Sequence, residues 1–130
     1  MKKSQDNSYS DFINGLNIND IFLTDSEIHV DRDKLGEKKN TVNLLENYGL
    51  KKESKDGFTV SCKYEIKVKD NDESPLYIKV NFNAEYSSKI KIKKDYFNKF
   101  IKGNIQLNLF PYLREYVSHI RLRLFVIAPV

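Results

Sequence analysis

The chain has 130 residues, of which 40% are hydrophobic and 31% are charged, and its formal net charge is +4. This length fits one domain with a single core, and the hydrophobic fraction excludes a wholly disordered chain. A single cysteine excludes an intrachain disulfide framework. No apolar run reaches the roughly 18 residues that a membrane span needs. We therefore expect one soluble, cytoplasmic domain without membrane insertion.

The positive charge is carried mainly by lysine. Only Arg32, Arg114, Arg121 and Arg123 are arginine among the 22 basic residues. Base readout and bidentate phosphate contacts favour arginine, whereas dispersed lysine serves solubility. The composition therefore disfavours a nucleic-acid partner.

The N-terminal segment predicts a leader followed by a strand. Residues 1–10 are polar and are expected to be a disordered leader, which leaves residues 11–130 as the domain. Two short apolar runs, Phe12–Leu16 and Ile18–Leu23, flank Gly15. Glycine inside a strand pattern often marks a bulge or bend, so we expect one bent or broken strand here.

The middle of the chain predicts three further strands. Thr41–Leu50 is the first of them, and Lys55-Asp56-Gly57 is a turn because Asp-Gly suits positive φ angles. Apolar and polar residues then alternate over Phe58–Val68 and again over Leu76–Tyr86, with a polar turn between. Period-two alternation is typical of strands with one buried face, so these two segments predict an antiparallel hairpin.

The pattern changes after the hairpin. Ile90 and Ile92, which lie between lysines, are expected to add a short strand tail. One apolar stripe of an amphipathic helix follows, and Pro111 is expected to kink that helix if it begins near Asn104. Strands followed by a helix indicate an α+β domain with the helix packed on an antiparallel sheet. The stripe consists of Phe110, Leu113, Val117, Ile120 and Leu124.

The helix also carries the most specific motif of the chain. Leu109–Ser118, with the sequence LFPYLREYVS, resembles the LFPYxRExxS signature of the SecB preprotein-export chaperone family, which includes SecB-like toxin–antitoxin chaperones. Asn19–Ile21, Thr41–Leu44 and Ala128–Val130 fall in family order as well. The resemblance spans Asp11 to Val130.

This resemblance implies a fold, an assembly and a function. The fold is a four-stranded antiparallel sheet with one long C-terminal helix packed on it, assembled as a homodimer or as a tetramer of two dimers. The function is that of a holdase, a chaperone that binds unfolded polypeptides without ATP or a cofactor. Val42 and Leu44 match the client groove of the family, and Phe125 and Ile127 are further polypeptide-binding candidates.

A second stripe on the helix predicts self-association. Tyr112, Tyr116 and His119 lie beside the core stripe, and a helix that is apolar on more than one side is usually covered on both. Arg123 is able to contact a neighbouring subunit. We expect these four residues at an oligomer interface.

The chain also departs from the family. The sequence stops at Val130, where the family continues into a second helix and an acidic tail that carries the zinc-binding contact with the translocase motor. Contact with the motor is therefore disfavoured. The alternative is a dedicated interaction module, such as a SecB-like antitoxin or a phage or mobile-element protein that binds one specific partner.

Catalytic and metal-binding chemistry has little support in the sequence. Cys62 lies on the apolar face of its predicted strand and is expected to be a buried small hydrophobe. His29 and His119 are the only histidines, and neither stands in a cluster with the spacing of metal ligands. His119 lies four residues after Glu115 on the predicted helix, so an ion pair between the two on its outer face accounts for this histidine without a metal. We expect no catalysis, no metal and no cofactor.

Overall fold

The computed structural model describes residues 3–31, 41–70 and 73–127, with side chains described for residues 9–31, 42–68 and 75–119. The chain divides into two compact units, Met1–Lys93 and Lys94–Val130. The first unit contains helix α1 and four strands, and the second is helical. The elements are α1 Lys3–Asn14, β1 Leu16–Val30, β2 Thr41–Glu53, β3 Gly57–Asp70, β4 Glu73–Ser88, α2 Lys94–Lys99, a π-helical segment Phe100–Asn104 and α3 Ile105–Ile127.

The four strands form one antiparallel sheet in the order β1-β4-β3-β2. The hairpin of β3 and β4 supplies the two central strands, as their regular alternation predicts. The expected four-stranded antiparallel sheet and the long helix near the C-terminus are therefore confirmed.

Alternation along the central strands gives the sheet two unlike faces. Phe58, Val60, Cys62 and Tyr64 of β3 are buried, and they pair in register with buried apolar residues of β4. We call this side the apolar face. Successive side chains of a strand point to opposite sides, so the intervening residues form the polar face. On β3 these are Thr59, Ser61, Lys63, Glu65 and Lys67.

Helix α1 replaces the first part of the strand expected around Gly15. Phe12 lies in this helix, is fully buried, and stacks on Phe58 with the ring centroids 5.9 Å apart. Tyr9, Phe12 and Ile13 have helical spacing, which explains why this turn folds against the sheet. Gly15 follows the helix, and its N–H donates to the carbonyls of Asp11 and Phe12 at 3.1 and 3.2 Å.

Helix α1 begins at Lys3, within residues 1–10, for which the sequence predicts a disordered leader. Because α1 continues to Asn14, strand β1 starts only at Leu16. It runs to Val30 and contains two bulges. The division into a leader over residues 1–10 and a domain over residues 11–130 stays a prediction.

Position 57 requires glycine because the backbone of β4 approaches it closely, and not because its φ is positive. A Cβ atom at this position would lie 2.3 Å from the carbonyl oxygen of Tyr86 on β4. The expected turn is present, since the Ser54 N–H donates to the Gly57 carbonyl at 2.8 Å. The expectation that Gly57 adopts a positive φ is wrong, because this residue is already part of β3.

The strand tail expected at Ile90 and Ile92 is also absent. β4 ends at Ser88, where it pairs with Leu16, the first residue of β1. No neighbouring strand of the described sheet extends further, and the Ser88 hydroxyl donates to the carbonyl of Ile90. Ile92 is nevertheless buried.

The helical unit begins earlier than the apolar stripe predicts. The π-helical segment joins α2 to α3, with the Ile105 N–H donating to the carbonyl of Phe100. Pro111 therefore lies inside α3 and has no N–H to offer the carbonyl of Leu107. The predicted stripe is shifted at its start, because Leu109 is buried and Phe110 only half-buried. Among the described side chains of α3, the buried stripe is Ile105, Leu109 and Leu113, and the side chains of Ile120 and Leu124 lie outside the described residues.

We predict that Gly57→Ala lowers the free energy of unfolding by about 1–3 kcal/mol, because the backbone carbonyl of Tyr86 leaves no room for a methyl group. Gly49→Ala is the matched control, since a Cβ at Gly49 meets no atom within 4 Å. That control is expected to keep or raise stability. Urea unfolding of both variants measures the difference, and equal effects would contradict the steric explanation.

Candidate polypeptide-binding surface

One end of the apolar face is built entirely from aliphatic side chains. Two neighbouring rows cross all four strands there, each row joined by cross-strand pairs. We call these rows the aliphatic platform. The first row is Val30, Leu76, Val68 and Val42, and the second is Ile28, Ile78, Ile66 and Leu44.

The margins of the aliphatic platform are open to solvent, whereas its centre is not. Val42 is 64% exposed, Leu44 is 42% exposed, and Ile28 on the opposite margin is 40% exposed. Ile78 in the centre is buried. Adjacent exposed apolar side chains are unfavourable in water and typically mark an interaction surface. The β2 margin, with two such residues in consecutive rows, is the more exposed one.

The backbone at this margin is available for pairing as well. β2 is an outer strand of the sheet, so one of its edges has no partner strand among the described residues. An edge strand offers a row of N–H and C=O groups to an extended polypeptide. Apolar side chains and backbone hydrogen-bonding groups thus lie together at β2.

A polar pair ends the exposed apolar margin along β2. Glu46 and Tyr48 follow Leu44 on the same face, and the Tyr48 hydroxyl donates to Glu46 Oε1 at 2.6 Å. Burial, followed by this bond to a carboxylate, raises the pKa of Tyr48. The Tyr48 ring meets the edge of the buried Tyr64 ring with centroids 5.8 Å apart. Only Val42 and Leu44 on β2 therefore combine exposure with apolar chemistry on this face.

Two of the four polypeptide-binding residues predicted from the sequence have described side chains. Val42 and Leu44 lie together on the β2 margin, whereas the side chains of Phe125 and Ile127 lie outside the described residues. Sequence reasoning missed Ile28, although its spacing from Val30 is that of two residues on one face of a strand. Only the register of β1 on β4 places it in the row of Leu44.

The residues expected at an oligomer interface share one side of α3. Tyr112 is 44% exposed, Tyr116 is half-buried and His119 is exposed. The expected pair is present, with His119 Nε2 3.8 Å from Glu115 Oε1. The side chain of Arg123 lies outside the described residues.

Cys62 lacks the environment of a nucleophile. It is 0% exposed on the apolar face, and burial raises the pKa of its thiol from the ordinary 9.0 to about 12. Its Sγ lies 3.8 Å from the carbonyl oxygen of Val60. His29 is on the opposite face and contacts Glu27 at 3.2 Å. A thiol that stays protonated is a poor nucleophile.

The described part of the chain offers neither a cluster of metal ligands nor a membrane-spanning helix. No three His, Cys, Asp or Glu side chains of those residues stand close enough to hold a metal ion. None of the described helices is long and apolar enough to cross a membrane.

The sequence matches no protein-family model and no curated protein. Its structure is similar to that of the SecB-like chaperone Rv1957 of Mycobacterium tuberculosis, in complex with a ChAD peptide from the Rv1956 HigA1 antitoxin. The TM-score is 0.76 at 16% sequence identity, over 95% of this chain and 93% of that chain. A protein of unknown function from Streptococcus agalactiae is also similar, with a TM-score of 0.50 at 11% identity, over 87% of this chain and 89% of that one.

These likenesses concern the fold. The chain has the fold of a SecB-like chaperone across nearly its whole length, so the resemblance that the helix motif indicates is confirmed at that level. The Mycobacterium tuberculosis protein is a SecB-like chaperone.

We predict that the Cys62 thiol makes stability depend on pH in the alkaline range. Between pH 9.0 and about 12 the unfolded thiol loses its proton while the folded thiol keeps it. Because the unfolded state then binds fewer protons, the free energy of unfolding falls as the pH rises. Below that range the contribution is constant.

The matched control for this prediction is Cys62→Ala. In urea unfolding at a series of pH values, the unmodified chain is expected to lose stability more steeply than the variant, by up to about 1.4 kcal/mol per pH unit. Parallel curves for the two proteins would contradict the prediction, as would rapid reaction of the native thiol with Ellman's reagent at neutral pH.

Proposed function

We propose that this chain is an ATP-independent, SecB-like chaperone (a holdase) that binds unfolded or partner polypeptides at the β2 margin of the aliphatic platform. The observation that carries this proposal is the exposure of Val42 and Leu44 side by side on an outer strand. The role requires neither catalysis nor a cofactor. It places the protein in the cytoplasm, where unfolded chains are found.

The chemistry of an unfolded polypeptide suits this margin. Such a chain exposes apolar side chains together with backbone groups that lack partners. Extended along β2, it gains backbone hydrogen bonds from the edge and places every second side chain against Val42 and Leu44. Neither interaction requires a particular sequence, so the same surface is able to accept many clients. Phe125 and Ile127 are proposed as further contacts on the strength of the family resemblance alone.

A second candidate function is a dedicated module that binds one partner. It is supported by the peptide in the similar structure, which comes from an antitoxin rather than from an unfolded client. A SecB-like antitoxin or a phage or mobile-element protein fits this alternative. The two functions differ in the breadth of their clients.

We predict that Val42→Asn and Leu44→Asn each weaken polypeptide binding by roughly tenfold, because a polar amide replaces an apolar contact at the centre of the interface. The matched control is Leu45→Asn. Leu45 is 55% exposed on the same strand but pairs with Glu65 on the polar face. Fluorescence anisotropy with a labelled, extended apolar peptide measures affinity in buffer without nucleotide.

The same proteins decide between the two functions. A holdase is expected to suppress light scattering from several unrelated denatured proteins, and the Val42 and Leu44 variants are expected to lose this with all of them. Protection of a single partner with no effect on the others would favour the dedicated module. Equal loss in the Leu45 control would contradict the placement of the site.

The backbone hydrogen bonds of the β2 edge and the apolar side-chain contacts contribute separately to peptide affinity, and the two contributions can be measured apart. Methylation of alternate backbone nitrogens on one edge of the peptide removes N–H donors without changing its side chains. The peptide methylated on the edge that faces β2 is expected to bind more weakly than the peptide methylated on its other edge. Equal binding of the two peptides would contradict strand addition and leave only the apolar contact.

We also propose that the chain forms a homodimer or homotetramer through α3, with Tyr112, Tyr116, His119 and Arg123 at the interface. The support is the exposed tyrosine at position 112, which lies beside the buried stripe of this helix.

We predict that Tyr112→Glu shifts the assembly toward the monomer in light scattering coupled to size-exclusion chromatography, because a buried carboxylate at the interface is unfavourable. Ser118→Glu is the control, since Ser118 is exposed on another side of α3. An unchanged mass for Tyr112→Glu, or an equal shift for both variants, would contradict this interface.

A further inference from the structure

The polar face of the sheet contains a depression that the proposed function does not use. Its volume is about 440 Å³, and it lies across β1, β2, β3 and β4 in the strand unit. Among the residues that the structure describes, its lining contains amides, hydroxyls and two lysines but no carboxylate. The lining includes Gly49, Lys51, Ser61, Lys63, Asn81 and Asn83.

The floor of the depression is low because one row of the sheet has short side chains on β2, β3 and β4, although its member on β1 is Phe22. Gly49 on β2 pairs with Ser61 on β3, which pairs with Asn83 on β4. A Cβ at Gly49 would meet no atom within 4 Å, and its φ is not in the left-handed region. Neither crowding nor backbone conformation therefore requires glycine here. Glycine in a strand interior weakens the strand, and close approach of a ligand is one reason for its presence.

A bulge in β2 directs a lysine over this floor. The register of β2 on β3 shifts between Leu50 and Lys52, so Lys51 is the extra residue. When the Asn83 amide nitrogen donates to the carbonyl of Phe82 at 3.3 Å, its oxygen accepts from Lys51 Nζ at 3.2 Å. Bulges commonly redirect one side chain at a functional site. The ammonium of Lys51 thus reaches across β3 to β4.

The next row adds a second cation and an acceptor without a partner. Lys63 on β3 pairs with Asn81 on β4. Asn81 Oδ1 is buried, and no donor of the described residues reaches it. Neither Lys51 nor Lys63 forms an ion pair with a carboxylate in the described part of the chain. A buried acceptor without a hydrogen bond is costly, and a ligand hydroxyl would relieve that cost.

We propose that this depression binds a small phosphorylated sugar. The phosphate lies between the ammonium groups of Lys51 and Lys63, which are the charged groups among the described residues of the lining. A sugar hydroxyl donates to Asn81 Oδ1, and the low floor at Gly49 admits the ring. Phosphate is favoured over a neutral sugar because both charged side chains of the described lining are cations, whereas Asp25, the register partner of Asn81 on β1, is not part of that lining. The sugar is favoured over inorganic phosphate because its hydroxyls offer a donor to Asn81 Oδ1 while the phosphate contacts the lysines, and because a single phosphate ion is much smaller than a depression of about 440 Å³.

The site is independent of the aliphatic platform, because the two lie on opposite faces of one sheet. Val42→Asn is therefore expected to leave binding at the depression unchanged. Failure of the polypeptide-binding proposal would not affect this one.

The test is a titration of the full chain with glucose 6-phosphate and ribose 5-phosphate, followed by amide NMR shifts and calorimetry. Saturable shifts at Gly49 and Ser61 are expected with at least one of these two compounds. Unphosphorylated glucose and ribose, and inorganic phosphate alone, are expected to bind at least roughly tenfold more weakly. If inorganic phosphate binds equally tightly, the proposed role of the sugar is wrong. If the free sugars bind equally tightly, the proposed role of the phosphate is wrong.

Two variants locate the site. The double variant Lys51→Gln with Lys63→Gln removes both cations, and Gly49→Val fills the floor where space is open. Both are expected to weaken binding by at least roughly tenfold while the amide spectrum stays folded. Lys79→Gln is the matched control, since Lys79 lies on the polar face but pairs with Glu27 and Glu65. Equal loss in that control, or no saturable shift with either sugar phosphate, would overturn the proposal.

Discussion

The strict alternation of apolar and polar residues along β3 and β4 determines most of what this molecule is able to do. A strand sends successive side chains to opposite faces, so two central strands with this pattern make a sheet that is apolar on one side and polar on the other. Burial of Phe58, Val60 and Cys62 stabilises the sheet, whereas the other face stays wet. Each face then offers a different chemistry to a ligand.

The outer strands β1 and β2 carry the exposed part of the apolar face. On the apolar face the central residues are buried, and the exposed apolar side chains of the platform are Val42 and Leu44 on β2 and Ile28 on β1. Because β2 is at the edge of the sheet, apolar surface and free backbone groups coincide there. This coincidence, rather than the apolar area alone, makes the β2 margin suited to an extended polypeptide.

The sequence predicts the parts of the fold that depend on local pattern. The alternation of Phe58–Val68 and Leu76–Tyr86 predicts the central hairpin, and the motif around Pro111 places the long helix. The prediction of a strand at Phe12 is wrong, because three apolar residues at helical spacing resemble a short strand next to a glycine. The turn at Gly57 is predicted correctly but for the wrong reason, since contact with Tyr86 is a property of the folded sheet. The platform partner of Leu44 on β1 likewise depends on register, which alternation alone does not set.

The two faces also differ in how they achieve selectivity. An apolar margin beside a strand edge recognises a general property of unfolded chains and therefore discriminates weakly among them. The polar depression is built differently, because bulged Lys51, bare Gly49 and the buried Oδ1 of Asn81 would each constrain one part of the proposed ligand. Buried polar groups reject ligands that leave them without partners, so such a site favours one chemical class. Under these two proposals, a single antiparallel sheet combines a permissive surface on one side with a selective one on the other.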